Sequence, residues 1–199
     1  MEDKFLDLNY QENKLIRYLN SLDKDNKRKA FRALDLARAE HMSQFRDSGA
    51  SYYIHPVRTA LILSEELGIE DPDLLCAALL HDVLEDGAVS EMRLESDFGS
   101  EVATIVKKLT RARPAGESEE EKKINKARKL EEIAKENEKI RIVKLCDILD
   151  NMRSIDYIPE FSPARNKVPR WKEELQNHVL PIAKNTNQIL YNKLSDLII

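Results

Sequence analysis

The 199 residues carry 32 Lys and Arg against 36 Asp and Glu, a formal net charge of −4, with 42% apolar and 34% charged residues. That is the composition of a folded chain with room for one substantial core, and it excludes a disordered tail. It also leaves no broad cationic field for a nucleic-acid polymer, although a few local cations could hold a small polyanion.

Only 5 Gly and 7 Pro stand among many Leu, Ala, Glu and Lys, a balance that favours helices. The start, MEDKFLDLNY, lacks the basic and apolar pattern of a signal peptide, and no apolar run nears the ~20 residues that cross a bilayer. A cytoplasmic protein without membrane contact is expected. Cys76 and Cys146 lie in apolar runs and read as buried free thiols.

Amphipathic patterns predict helices over 10–20 and 25–42, the second through Phe31, Leu34 and Ala37. A turn-like stretch, Arg46 to Ser51, follows. A helix then starts near His55-Pro56 and runs to Leu67, with Gly68 as its stop. Asp71-Pro72 supplies an N-cap and a first-turn proline for LLCAALLHDVLED, apolar on nearly every side before it turns acidic. Such a segment is a central core helix. Ser90 and Ser100 are expected to cap two shorter helices, and 111–118 forms a loop. The Glu/Lys-rich helix over 119–139 reads as a solvated face held by i,i+4 pairs. An apolar-periodic helix spans 140–153, a proline-bearing loop 157–170, and a last helix through Trp171, Leu175 and Val179 is kinked at Pro181. The expectation is one all-α domain over 1–199.

His55, His81-Asp82 and Asp147 carry the chemistry, each read as lying late in or at the end of an apolar helix. Imidazole with carboxylate suits a divalent transition metal, and packed helices can bring such residues to one point. A lone His on an apolar helix is ordinarily a packed core residue, and a lone terminal Asp a solvated one; the combination is a stronger signal, and spacing alone leaves a metal site and the structural reading side by side. Glu85 and Asp86 follow His81 and Asp82 by one turn and are expected above them on one helix face, where a carboxylate could position a water or move its proton. A frayed helix end is the plain alternative, though acids there oppose the helix dipole. Arg46, Ser48, Lys144, Asn151, Arg153 and Ser154 add donors for phosphate or base around the same segments.

SGASYYIHP, AALLHDVLED, DFGSEVATIVKKLT and IVKLCDILDNMRSI resemble, in order, the hydrolase half of RelA/SpoT stringent-response proteins, over roughly residues 28 to 156. The resemblance implies an all-α HD-domain helical bundle, with 157–199 as a helical extension. It also suggests a stand-alone small alarmone hydrolase, the group that includes the metazoan SpoT homologue. It implies His55, His81, Asp82 and Asp147 as Mn²⁺ ligands, and Glu85 and Asp86 as the catalytic pair. Arg46, Ser48, Asn151 and Ser154 match its nucleotide-contacting positions. The implied reaction is removal of the 3′-pyrophosphate from ppGpp or pppGpp. Asp47 departs from the family's usual Lys, Ile148 and Asp150 from its Arg and His or Tyr, and Gly87 from its Thr. The first departure bears on base preference. An adenosine alarmone, a nicotinamide dinucleotide phosphate or another phosphate ester is the alternative substrate. A catalytically silent alarmone-binding module is the non-enzymatic alternative. A homodimer could form through the Trp171 helix or the 119–139 helix.

Overall fold

The computed structural model describes residues 4–85, 89–111, 114 and 116–198. Eleven helices are described: α1 Leu8–Ser21, α2 Lys24–His41, α3 Ile54–Leu61, α4 Pro72–Leu80, α5 Glu91–Phe98, α6 Ser100–Leu109, α7 Glu119–Ala134, α8 Glu138–Arg153, α9 Val168–Glu174, α10 Leu180–Lys184 and α11 Gln188–Ser195. No strand is described; one isolated bridge pairs Phe45 with Ser51.

The central core helix is α4. Asp71 accepts hydrogen bonds from the backbone of Asp73 and Leu74, and Pro72 opens the first turn. From Leu74 to Leu80 every residue is buried, against α2, α3, α6 and α8. Each fully buried Leu contributes about 1.5–3 kcal/mol relative to an exposed one, which outweighs any weakness of local helix propensity. The α3 helix is buried at all its positions, including the polar His55, Arg58 and Thr59. Its continuation widens into a π turn over Ile62–Glu66, and Gly68 ends it with φ +65°, a value that favours glycine.

Several expectations shift. The acidic core helix stops at Leu80 rather than running to Asp86: Val83 N–H bonds to the Leu80 carbonyl and Glu85 N–H to that of Asp82, the pattern of tight turns. Ser100 is the first residue of α6 and makes no side-chain cap, whereas Ser90 does cap α5. The 119–139 helix breaks before Asn137, which caps α8 through the Ile140 N–H. Short 3₁₀ turns at Ser154–Tyr157 and Pro163–Lys167, with the start of α9, occupy the expected 157–170 loop. Pro181 lies in the first turn of α10, directly after a π turn over Leu175–Val179. Both cysteines are buried and free. No described helix is long and apolar enough to cross a membrane.

Candidate functional site

Three elements bring the metal-type donors together. His55 is the second residue of α3, at the helix start expected near His55-Pro56 and not late in an apolar helix. His81 caps the C-terminal end of α4, Asp82 follows in the turn, and Asp147 lies within α8. His55 Nε2 is 3.1 Å from His81 Nε2 and 3.2 Å from Asp147 Oδ1. Asp82 Oδ2 is 3.2 Å from His81 Nε2 and 3.8 Å from His55 Nε2.

The partners of the other ring nitrogens determine what these atoms present. His81 Nδ1 is 2.8 Å from the Ala78 carbonyl, which can only accept, so Nδ1 carries the proton. His55 Nδ1 is 2.6 Å from Asp150 Oδ2, a carboxylate already receiving Arg58, so it too donates. With Nδ1 protonated on both rings, each turns Nε2 toward the other and toward two carboxylates, a lone pair wherever Nε2 holds no proton of its own. Four acceptors facing one another repel unless a cation sits among them. Six-coordinate ions with bonds of about 2.1 Å place adjacent donors about 3 Å apart, so the spacing of His55, His81 and Asp82 fits a divalent ion, with Asp147 Oδ1 alongside at 3.2 Å from His55 Nε2.

The electrostatics agree. Burial pulls the His81 imidazolium down, yet the charge and hydrogen bond of Asp82 and the charge of Asp147 carry its pKa up to about 9. Burial also penalises the Asp82 and Asp147 carboxylates. The His81 charge beside Asp82, and Lys144 and the histidines beside Asp147, nevertheless hold both well below the usual carboxylate range. The pocket demands positive charge.

A second ring of polar groups holds the donors in place. Lys144 Nζ donates to Asp147 Oδ2 at 2.8 Å and Asn151 Nδ2 to Asp147 Oδ1 at 2.5 Å. Arg46 Nη2 donates to Asn151 Oδ1 at 2.7 Å, and its guanidinium lies 5.5 Å from the centre of the Tyr52 ring. Tyr52 Oη donates to Asp82 Oδ2 at 2.6 Å; burial and that carboxylate raise the phenol well above its ordinary pKa. Arg46 Nη1 is buried and, among the described residues, has no partner. An orphaned guanidinium nitrogen beside the donors is a place for an anionic group.

Above this lies a cleft of about 600 Å³, lined by Arg46, Ser48, Asp82, Glu85, Lys144, Asp147, Asn151 and Ser154, all read from the sequence as site residues. Gly49, with φ +84°, lets the loop turn between the Phe45–Ser51 bridge and so sets Arg46, Asp47 and Ser48 on the rim. Asp86 lies outside the described residues, and the expected helical stripe of Glu85 and Asp86 above His81 and Asp82 is replaced, as far as Glu85, by a turn. Arg153 turns away from the cleft: both its terminal nitrogens hold Glu66, at 2.7 and 3.0 Å.

Two groups of residues were not anticipated. Asp150 and Arg58 lie behind His55; the signal was a charged residue inside each of two apolar helices, Asp150 having been read as a departure from the family. Lys122, Lys126 and Lys129, on the supposedly solvated face of α7, line the cleft together with Arg111. Their i, i+4, i+7 spacing put them on one face, but nothing local said what that face meets.

The HD domain family matches residues 33–178. A probable guanosine-3′,5′-bis(diphosphate) 3′-pyrophosphohydrolase of Mycoplasma pneumoniae is 36% identical over 136 residues, 64% of this chain and 18% of that protein. A guanosine-3′,5′-bis(diphosphate) 3′-pyrophosphohydrolase of Borreliella burgdorferi is 30% identical over 164 residues, 81% of this chain and 23% of that protein. The chain thus spans about a fifth of the length of these curated relatives. Among solved structures, a metazoan orthologue of SpoT that hydrolyses ppGpp superposes with TM-score 0.74 at 29% identity, over 85% of this chain and 93% of that one. A Listeria monocytogenes protein shares the fold, with TM-score 0.56 at 24% identity, over 72% of this chain and 95% of that one. With more than two thirds of its residues inside the family match, and with an all-helical architecture that superposes on a SpoT orthologue, the chain belongs to the HD domain family, of the RelA/SpoT hydrolase type.

Proposed function

We propose that this chain is a Mn²⁺-dependent 3′-pyrophosphohydrolase of guanosine alarmones, converting ppGpp or pppGpp to GDP or GTP and pyrophosphate, and that residues 1–199 act as one domain. The observation that carries the reading is that Asp82 and Asp147, backed by His55 and His81, line a cleft whose walls hold six cationic side chains: Arg46, Arg111, Lys122, Lys126, Lys129 and Lys144. His55, His81, Asp82 and Asp147 are the metal ligands in this reading. Bound there, the ion polarises phosphoryl oxygens and makes a water more acidic. Manganese suits a mixed imidazole and carboxylate set.

The remaining work belongs to the protein. Lys144 and Asn151 orient Asp147, while Tyr52 orients Asp82. Glu85, on the cleft wall, accepts the proton of the attacking water; Asp86 is its partner in this reading. Water oxygen bonds to the phosphorus attached at the ribose 3′ position, and the P–O(3′) bond breaks. The released 3′ oxygen takes a proton, and pyrophosphate leaves. Charge neutralisation and positioning by Arg46 and the lysines carry most of such a reaction. Ser48, Asn151 and Ser154 contribute polar contacts along the nucleoside side. Asp47 stands on the rim as an acceptor-only group. That favours guanine, which offers N1–H and N2–H donors, over adenine, whose N1 is an acceptor.

Metal-free protein supplied with Mn²⁺ should convert ppGpp to GDP and pyrophosphate, followed by anion-exchange chromatography, with Asp82→Ala as the blank. Intact ppGpp alongside cleavage of the adenosine alarmone would move the substrate to adenine. Tight binding with no turnover of either would favour the silent module.

A further inference from the structure

Behind the four donors, α3 and α8 bury a charged pair that no substrate can touch. Arg58 follows His55 by one turn of α3, and Asp150 follows Asp147 by one turn of α8. Arg58 is 3% exposed; His55 and Asp150 are at 0%. Arg58 Nε donates to Asp150 Oδ1 at 2.6 Å and Nη2 to Oδ2 at 3.0 Å, a two-pronged pairing. Nη2 also reaches Ser154 Oγ at 3.0 Å, and that hydroxyl donates to the Asp150 carbonyl at 2.8 Å. Nη1 donates to the Phe5 carbonyl at 2.9 Å, while the guanidinium carbon lies 3.9 Å from the centre of the Phe5 ring. Phe5 in turn stacks on Tyr157.

Taking both charges out of water is costly, and an apolar pair of similar volume would commonly stabilise the fold as well or better. An apolar pair could not accept the His55 Nδ1 proton, which Asp150 Oδ2 takes at 2.6 Å. Here the family's usual residue is replaced by a carboxylate, the strongest acceptor a side chain offers. We propose that Asp150 is a positioning residue for the metal: it holds His55 in the Nδ1–H tautomer with Nε2 facing the ion, and Arg58, clamped by Phe5 and Ser154, keeps that carboxylate in register. The inference rests on the proposed metal role of His55.

Arg58→Met combined with Asp150→Leu removes the pair without stranding a charge, so the double variant should fold, with a melting temperature lowered only by the His55 Nδ1–H left without its acceptor. Its Mn²⁺ dissociation constant, measured by electron paramagnetic resonance without substrate, should rise roughly 10–100-fold. In ¹⁵N-histidine NMR spectra of the metal-free protein, the His55 signal should move from a single Nδ1–H tautomer to a mixture. Glu66→Gln, which loosens Arg153 elsewhere on α8, should lower the melting temperature and leave Mn²⁺ affinity unchanged. Wild-type Mn²⁺ affinity and an unchanged His55 tautomer in a folded double variant would overturn the proposal. Should the wild-type protein bind no Mn²⁺ at all, the metal reading falls, while the tautomer spectrum still decides the role of Asp150.

Discussion

Lys126 is the position where stability and function pull in opposite directions. It sits on α7, lines the cleft, and makes no ion pair among the described residues. Burial lowers its pKa; Glu174 counters this, but Arg170, Lys144 and Arg111 add to it. A lysine whose folded pKa lies below its ordinary 10.5 costs stability while it is charged. That cost is fully present below the folded pKa and disappears as pH rises through it toward 10.5. Lys126→Met keeps the stem's volume and removes the charge, so it should stabilise the free protein at neutral pH. Each kcal/mol regained raises Tm by about 2–4 °C in a chain of this size. With substrate the sign reverses. A charge-assisted hydrogen bond to phosphate is worth about 1.5–3 kcal/mol, so KM for ppGpp should rise about 10–150-fold if Lys126 makes one. Thermal melts with and without ppGpp, and steady-state turnover in Mn²⁺, read both sides. An unchanged KM would show that the α7 lysines do not hold the phosphates, and a lowered Tm would refute the unpaired-charge account.

Three further outcomes follow from particular residues. Glu85→Gln should cut turnover about 10²–10⁴-fold while leaving Mn²⁺ affinity intact; near-normal kcat would remove Glu85 from the proton transfer. Asp47→Lys should weaken discrimination between guanosine and adenosine alarmones in parallel kinetics; an unchanged ratio of kcat/KM values would place base selection elsewhere. Asp71→Ala should destabilise the protein by about 1–2 kcal/mol in urea unfolding, through the lost cap of α4 and the lost ion pair with Lys139. Burial works to raise the Asp71 pKa, but Lys139 and the two backbone donors lower it overall. The wild-type advantage is therefore present above the ordinary carboxylate value of 3.8 and is lost as pH falls from there through the lower folded value. A gap between wild type and variant that persisted in strong acid would contradict this.

Much of this molecule is local and was legible as such. Asp71-Pro72 starts α4, Ser90 starts α5, and the seven residues Leu74 to Leu80 can only be buried, since no exposed face could carry them. Imidazoles and acids set in apolar segments made His55, His81, Asp82 and Asp147 candidates, and the family resemblance made them a ligand set; the bundle brings their side chains together. Where α4 ends was not readable: apolar periodicity continues past Leu80, but His81 gives its ring proton to Ala78 and Asp82 turns toward Tyr52 and α3, contacts made only in the packed bundle. The same holds for Asp150, whose partners His55 and Arg58 lie 95 and 92 residues away, and for the α7 lysines, whose face acquires its meaning from the helices across the cleft. Short-range capping and burial depend on neighbours in the chain, so the sequence by itself determined the helical class, the starts of α4 and α5 and the buried run Leu74 to Leu80. Which charges are buried together, and which polar face borders a cavity, depend on atoms brought close by packing, and those the tertiary structure alone decided.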